Sequence, residues 1–169
     1  GIILAAVFVA MVISILLSIF IWNPLEVGCQ KFFINCKYGN AELGDIAYGF
    51  KNGYAHIGMI MFLRGLFTGL WMLLFIIPGI VKSYEYMMIP YLLAEHPEMT
   101  RQEAFAESKQ MMDGNKWDAF VLDLSFIGWT LLGVCTFGIL LVFYVEPYIY
   151  LTRAELYHAL KNNNKSVEF

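Results

Sequence analysis

No charged side chain occurs between Gly1 and Leu25, and none between Leu124 and Val145. A third run, Tyr54 to Val81, carries only Arg64 and the titratable His56. Each run is long enough to cross a hydrocarbon core as a helix, which takes roughly 20 mostly apolar residues. In lipid the backbone must satisfy its own hydrogen bonds, so only helices and closed barrels span. Barrel strands would alternate polar and apolar residues, and these runs do not alternate. They therefore read as transmembrane helices.

Composition supports that reading. The chain is 59% hydrophobic, 17% aromatic and 15% charged over 169 residues, with a mean hydropathy of +0.61. A soluble domain is nearer 45–50% apolar and about 25% charged. A soluble fold of this size has too little interior to hide the excess, so lipid must solvate it. The net charge of −3 and the lack of a basic block exclude nucleic acid as a partner. Cys29, Cys36 and Cys135 are odd in number and have no CxxC spacing, so they read as apolar thiols. The run from Gly1 to Trp22 exceeds the apolar region of a signal peptide and no small-residue cleavage site follows, so it reads as a retained span.

Two stretches share a pattern. Trp71 is followed by Leu73 and Leu74, Pro78-Gly79-Ile80, then Pro90-Tyr91. Trp129 is followed by Leu131 and Leu132, Phe137-Gly138-Ile139, then Pro147-Tyr148. The repeat predicts two helical hairpins, each turning at Gly79 or Gly138 and returning through a helix kinked at Pro90 or Pro147. Asn23-Pro24 fits the same return pattern, and the sequence opens on Gly1. The expectation is thus five spans here, at about 2–22, 55–77, 79–95, 117–135 and 138–158, with a sixth upstream in the full protein. Together they make a single all-α polytopic membrane domain, residues 1–161, followed by a polar tail, 162–169.

Between spans lie polar segments of helical character, Ala41–Gly53 and Met99–Asn115. Thr100 and Glu103 form a capping box at the start of the second. Its Ala104, Phe105, Met111 and Met112 make it amphipathic, suited to a membrane surface or to the protein's own cytoplasmic face. Lysine and arginine concentrate between the spans and at the end of the chain. Glu26 to Gly53 holds Lys31, Lys37 and Lys51, Glu95 to Trp117 holds Arg101, Lys109 and Lys116, and Arg153, Lys161 and Lys165 come last. The positive-inside rule then places them all, and the C-terminus, in the cytoplasm.

The run LWMLLFIIPGI from Leu70, AFAESKQMMDG from Ala104, LSFIGW from Leu124 and the Pro147-Tyr148 return together resemble the domain-of-unknown-function 975 family of bacterial integral membrane proteins. The likeness runs from about Asn23 to Leu160. It implies a plasma-membrane protein without an assigned biochemical activity, and it supplies no catalytic residues.

No catalytic motif stands out: HExxH, GxSxG and the P-loop are all absent. No cofactor, metal set or enzyme activity is expected. His56, His96 and His158 read as interfacial hydrogen-bonding groups. Ionisable residues inside the spans carry more weight, because an inserted charge costs about 2.5–3.5 kcal/mol even on lenient scales. Counting about 1.5 Å per residue puts Arg64 about 15 Å deep and Asp123 about 10 Å deep. With Arg153 at a similar depth, Arg64, Asp123 and Arg153 are the candidate buried charge cluster, with Asp123 as the partner expected for Arg64. Glu85 and Glu146, near Pro90 and Pro147, are the candidate polar pathway. Lys82 is placed to pair with Glu85 on one helix face. Gly65 and Gly69 form a small-xxx-small motif expected to pack another helix, while Pro24, Pro78, Gly79, Pro90, Gly138 and Pro147 shape turns and kinks. Trp22, Trp71, Trp117 and Trp129 read as interface anchors or packing groups.

Three function classes remain at this level. One is a non-catalytic membrane scaffold or accessory protein. The second is a small transporter or channel for an ion, lipid or amphiphile, and the third is an intramembrane enzyme. Membrane lipids are the expected partners, with a second copy or another membrane protein as candidates. A polar cavity reaching the intramembrane charges favours transport, and charges paired within the protein favour the scaffold.

Overall fold

The computed structural model describes residues 1–135, 138 and 141–167. Among the described residues all regular structure is helical.

The first helix does not end at Trp22. α1 (Ile2–Leu17) passes through a π-helical turn (Ser18–Trp22) into α2 (Asn23–Lys37) without a break. Pro24 has no N–H to give to the carbonyl of Phe20, four residues back. The turn widens into a π-bulge there, and the Tyr54 hydroxyl donates to the Phe20 carbonyl at 2.7 Å. The helix thus continues through a proline because a neighbour satisfies the freed acceptor. Beyond it, Asn23, Val27, Gln30 and Ile34 are buried at four-three-four spacing, the stripe of an amphipathic helix. The expected loop after Trp22 is therefore helix as far as Lys37.

A 3₁₀ turn (Leu43–Ala47) and a short α3 (Tyr48–Lys51) bring the chain back along α2. α4 (Tyr54–Leu74) stops at Phe75, whose backbone is extended at φ −151° and ψ 125°. α5 (Ile76–Glu85) starts directly after it. Pro78 sits in the first turn of α5, where its missing N–H costs nothing. The hairpin therefore turns at Phe75, and Gly79, expected at the turn, lies inside α5. Its role is close approach: a Cβ there would come within 2.6 Å of the Met72 Cα.

The expected return span 79–95 is broken by a turn at Tyr86–Met88, after which α6 (Ile89–Glu95) begins with Pro90 in its first turn. Pro90 starts a helix rather than kinking one. α7 (Arg101–Met112) carries the predicted capping box, the Glu103 amide donating to the Thr100 hydroxyl and the Thr100 amide to the Glu103 carboxylate. α8 runs over Lys116–Cys135, so the residues 117–135 expected as a span are helical. Gly138 lies in a turn with φ +80°, while Thr136, Phe137 and Ile139 fall outside the described residues. A second π-helical turn (Leu141–Val145) leads to Glu146-Pro147 and α9 (Glu146–Val167). α9 runs through most of the segment expected as a polar tail. The two hairpins thus differ in both turn and return helix, and the correspondence of Gly79 with Gly138 does not hold. The closer echo is between Pro24 and Pro147, each just after a π turn.

The core is assembled around α6, in which every residue from Ile89 to Ala94 is buried. Val27 and Ile34 of α2, Ile57, Ile60 and Met61 of α4, and Ala104, Met111 and Met112 of α7 close on it, with Ala154, Tyr157 and Leu160 of α9. α7 accordingly packs on the protein itself. α9 lies beside α2 in the same sense: Tyr150 stacks on Phe33 at 5.1 Å, Glu155 pairs with Lys37, and His158 meets Tyr38 edge-on. α8 returns antiparallel to α9 through Asp123–Arg153, Phe126–Tyr148 and Trp129–Tyr144.

Outside this core the helices are apolar and bare. α1 exposes Ile3 at 81% and Leu4 at 79%, α4 exposes Leu66 to Leu74 except for half-buried Thr68, and α8 exposes Val121, Leu124, Leu131 and Leu132. Among the described residues, two helices are long and apolar enough to cross a membrane: the 35-residue Ile3–Lys37 and the 21-residue Tyr54–Leu74. This much apolar surface on a monomer marks a lipid or protein contact.

Candidate functional site

The ionisable groups of the apolar helices gather at the seam where the packed core gives way to bare helix. On α4, Met61 is the last buried residue and from Leu66 onward nearly every residue is exposed; Arg64 lies between. Its Nη1 donates to Glu26 Oε1 at 2.9 Å. The partner is therefore Glu26 rather than Asp123. Glu26 is available because α2 continues past Pro24 and carries it under α4, whereas a span ending at Trp22 leaves it in a loop. The pair is only half-buried, with 25% of the Arg64 side chain and 39% of the Glu26 side chain exposed.

Asp123 belongs to a second pair. Arg153 Nη2 donates to Asp123 Oδ1 at 2.9 Å, and the Tyr84 hydroxyl donates to Asp123 Oδ2 at 3.1 Å. The predicted three-residue cluster thus divides: Asp123 and Arg153 come together, and Arg64 stands apart with Glu26. Glu85 is buried and closed by two lysines, Lys82 on its own helix as expected and Lys116 of α8 at 2.6 Å. Glu146 is exposed at the start of α9. Glu85 and Glu146, the candidate polar pathway, thus differ in setting, one buried between two lysines and the other exposed.

Other polar contacts were not among those expected from the sequence. Glu95, at the end of α6, accepts from the Tyr157 hydroxyl at 2.6 Å and from Lys161. The Tyr91 hydroxyl and Arg153 Nε are buried with no hydrogen-bond partner. Tyr157 is hidden because the expected last span ends within a residue of it, although Glu95 and Lys161 at the ends of two neighbouring helices are a readable charge match. His56 bonds the Met99 carbonyl at 2.7 Å and His96 faces Glu98 at 3.5 Å, whereas His158, also expected to hydrogen-bond, meets Tyr38 edge-on and buries its Nε2 without a partner. No group of three or more metal-ligating side chains occurs among the described residues.

Two open grooves reach the charge pairs. One, of about 320 Å³, lies between α8 and α9, with Asp123 and Arg153 among apolar walls that include Phe126, Ile127 and Ile149. The other, of about 380 Å³, lies along α4 and contains Glu26, Arg64, Gly65, Thr68, Gly69 and Ser83. A Cβ on Gly65 or Gly69 would meet no atom within 4 Å. The small-xxx-small motif, expected to pack a helix, instead floors an open groove. Chemically the two sites offer an arginine and a carboxylate, held side by side, to whatever enters from the apolar side.

The model of a family described as "Protein of unknown function (DUF975)" matches residues 3–164. No curated protein and no solved structure matches the chain.

Proposed function

The chain belongs to the DUF975 family, whose function is unknown, and we propose that it is a non-catalytic integral membrane scaffold or accessory protein of the bacterial plasma membrane. It crosses several times and keeps its packed end and its C-terminus in the cytoplasm. The observation that carries this reading is the pairing of the ionisable groups at the seam. Arg64 with Glu26, Asp123 with Arg153, and Glu85 with Lys82 and Lys116 are matched within the chain. A matched charge specifies how helices sit on one another; a transport site needs charges left for the cargo.

The sidedness has independent support. Lys37 and Lys161, from segments expected on the cytoplasmic side by charge count, both bond to the same packed end, through Glu155 and Glu95. α2 and α9 run toward that end in the same sense. The exposed apolar lengths of α1, α4 and α8 leave from it, as they would if the core sat at the cytoplasmic face. A transporter is the second reading, and the groove at Arg64 is what favours it.

Reconstitution separates the two. Purified protein in liposomes should give ion and proton flux no greater than empty liposomes. A flux that disappears with Arg64→Leu replaces the scaffold by the transporter.

A further inference from the structure

We infer that the α4 groove is a binding site for a phospholipid whose headgroup carries both a phosphate and a primary ammonium. This rests on the membrane reading above. The groove has two unlike ends. At one, Arg64 and Glu26 face each other at 2.9 Å and stay partly exposed. Along the other, Gly65 and Gly69 leave open floor for about 10 Å toward Met72. Thr68 and Ser83 border that floor, and Met72 closes its far end as an exposed apolar side chain. An amphiphile has the same two parts in the same order.

The charge pattern selects the occupant. Only one guanidinium nitrogen and one carboxylate oxygen are used in the bond between Arg64 and Glu26. A guanidinium has five N–H donors in all and a carboxylate two acceptor oxygens. An apolar helix laid on the glycines would cover these remaining groups and leave them unmatched, at a cost of several kcal/mol for charged groups. A phosphate accepts from the guanidinium, a geometry arginine favours, and a primary ammonium donates to Glu26. A purely anionic headgroup would satisfy Arg64 but press a second negative charge on Glu26. A quaternary ammonium has no N–H to give. An arginine within the apolar zone draws headgroups and water toward itself by local thinning, so the depth of Arg64 is no obstacle.

The test is native mass spectrometry of the full chain released from nanodiscs of matched acyl chains. The three headgroups are phosphatidylethanolamine, phosphatidylcholine and phosphatidylglycerol. The expected result is retention of phosphatidylethanolamine about tenfold above the other two, as one charge-assisted hydrogen bond supplies. Glu26→Gln should erase the preference for ethanolamine over choline, and Gly69→Leu, which leaves the charge pair untouched, should lower retention of all three. Each variant is checked by thermal melting, so a loss of binding is read only on folded protein. Equal retention of the three lipids by the unaltered chain overturns the proposal. So does a dimer that Gly69→Leu dissociates while no lipid is held, since the groove would then seat a second copy. Either failure leaves the membrane scaffold standing, because insertion and flux are measured separately.

Discussion

Arg64 is held at the seam by one carboxylate, and the identity of that partner sets the cost of losing it. Removing either member of a buried pair leaves an uncompensated charge and costs about 3–5 kcal/mol. The pair with Glu26 is partly exposed at the edge of the packed core, so the loss falls between the exposed and the buried case, at about 1–2 kcal/mol. Arg64→Leu and Glu26→Leu should each lower thermal stability in detergent, and the double substitution should recover part of the loss. Arg64→Leu and Asp123→Leu, which break two separate pairs, should add. A cycle in which Arg64 couples to Asp123 and not to Glu26 would contradict the pairing. Tyr91 makes the opposite case. Its hydroxyl is buried without a partner, and an unpaired buried hydroxyl is a burden to the fold. Tyr91→Phe should therefore melt at the same temperature or higher; a clear drop would show that the hydroxyl is satisfied after all.

Helices carry their own tests. Gly79 lets α5 lie on Met72, and any Cβ there meets the α4 backbone. Gly79→Ala should cost about 1–3 kcal/mol by overpacking, whereas Gly65→Ala, over open groove, should be neutral or slightly stabilising. The contrast is read from paired melts. At α7, Thr100→Ala should cost about 1 kcal/mol by loss of the cap. The exposed Glu103 carboxyl is held below the usual carboxylate range by the Thr100 amide and hydroxyl. A lowered folded value means that its contribution is present above the ordinary carboxyl range and is lost as pH falls through the lowered one. Glu103→Gln should remove that acid sensitivity. The capping box was legible in the sequence, as were the apolar runs and the helix α8, because each is written in neighbouring residues. The path of α2 was not. Pro24 after a long apolar run reads as an ending, and only Tyr54, far along the chain, satisfies the carbonyl that lets the helix continue. Glu26 as the partner of Arg64 was lost with it. The turn at Phe75 rather than Gly79 was equally hidden, since glycine serves close packing as readily as tight turns.

At the scale of the molecule, a dense helical core built around α6 carries bare apolar helices outward from one end. The family match over residues 3–164 covers both parts. On the reading proposed above, the bare helices lie in lipid and the packed, lysine-bearing end faces the cytoplasm. Lys109 on α7 and Lys161 on α9 mark that end, and Gly138 marks the far turn of the second hairpin. Single cysteines at these three positions, treated in intact cells with a membrane-impermeant maleimide, read out the sidedness directly. The prediction is that Gly138→Cys labels in intact cells, while Lys109→Cys and Lys161→Cys label only after the membrane is opened. Labelling of Lys109→Cys from outside would contradict the orientation, and labelling in a soluble fraction would contradict the membrane itself.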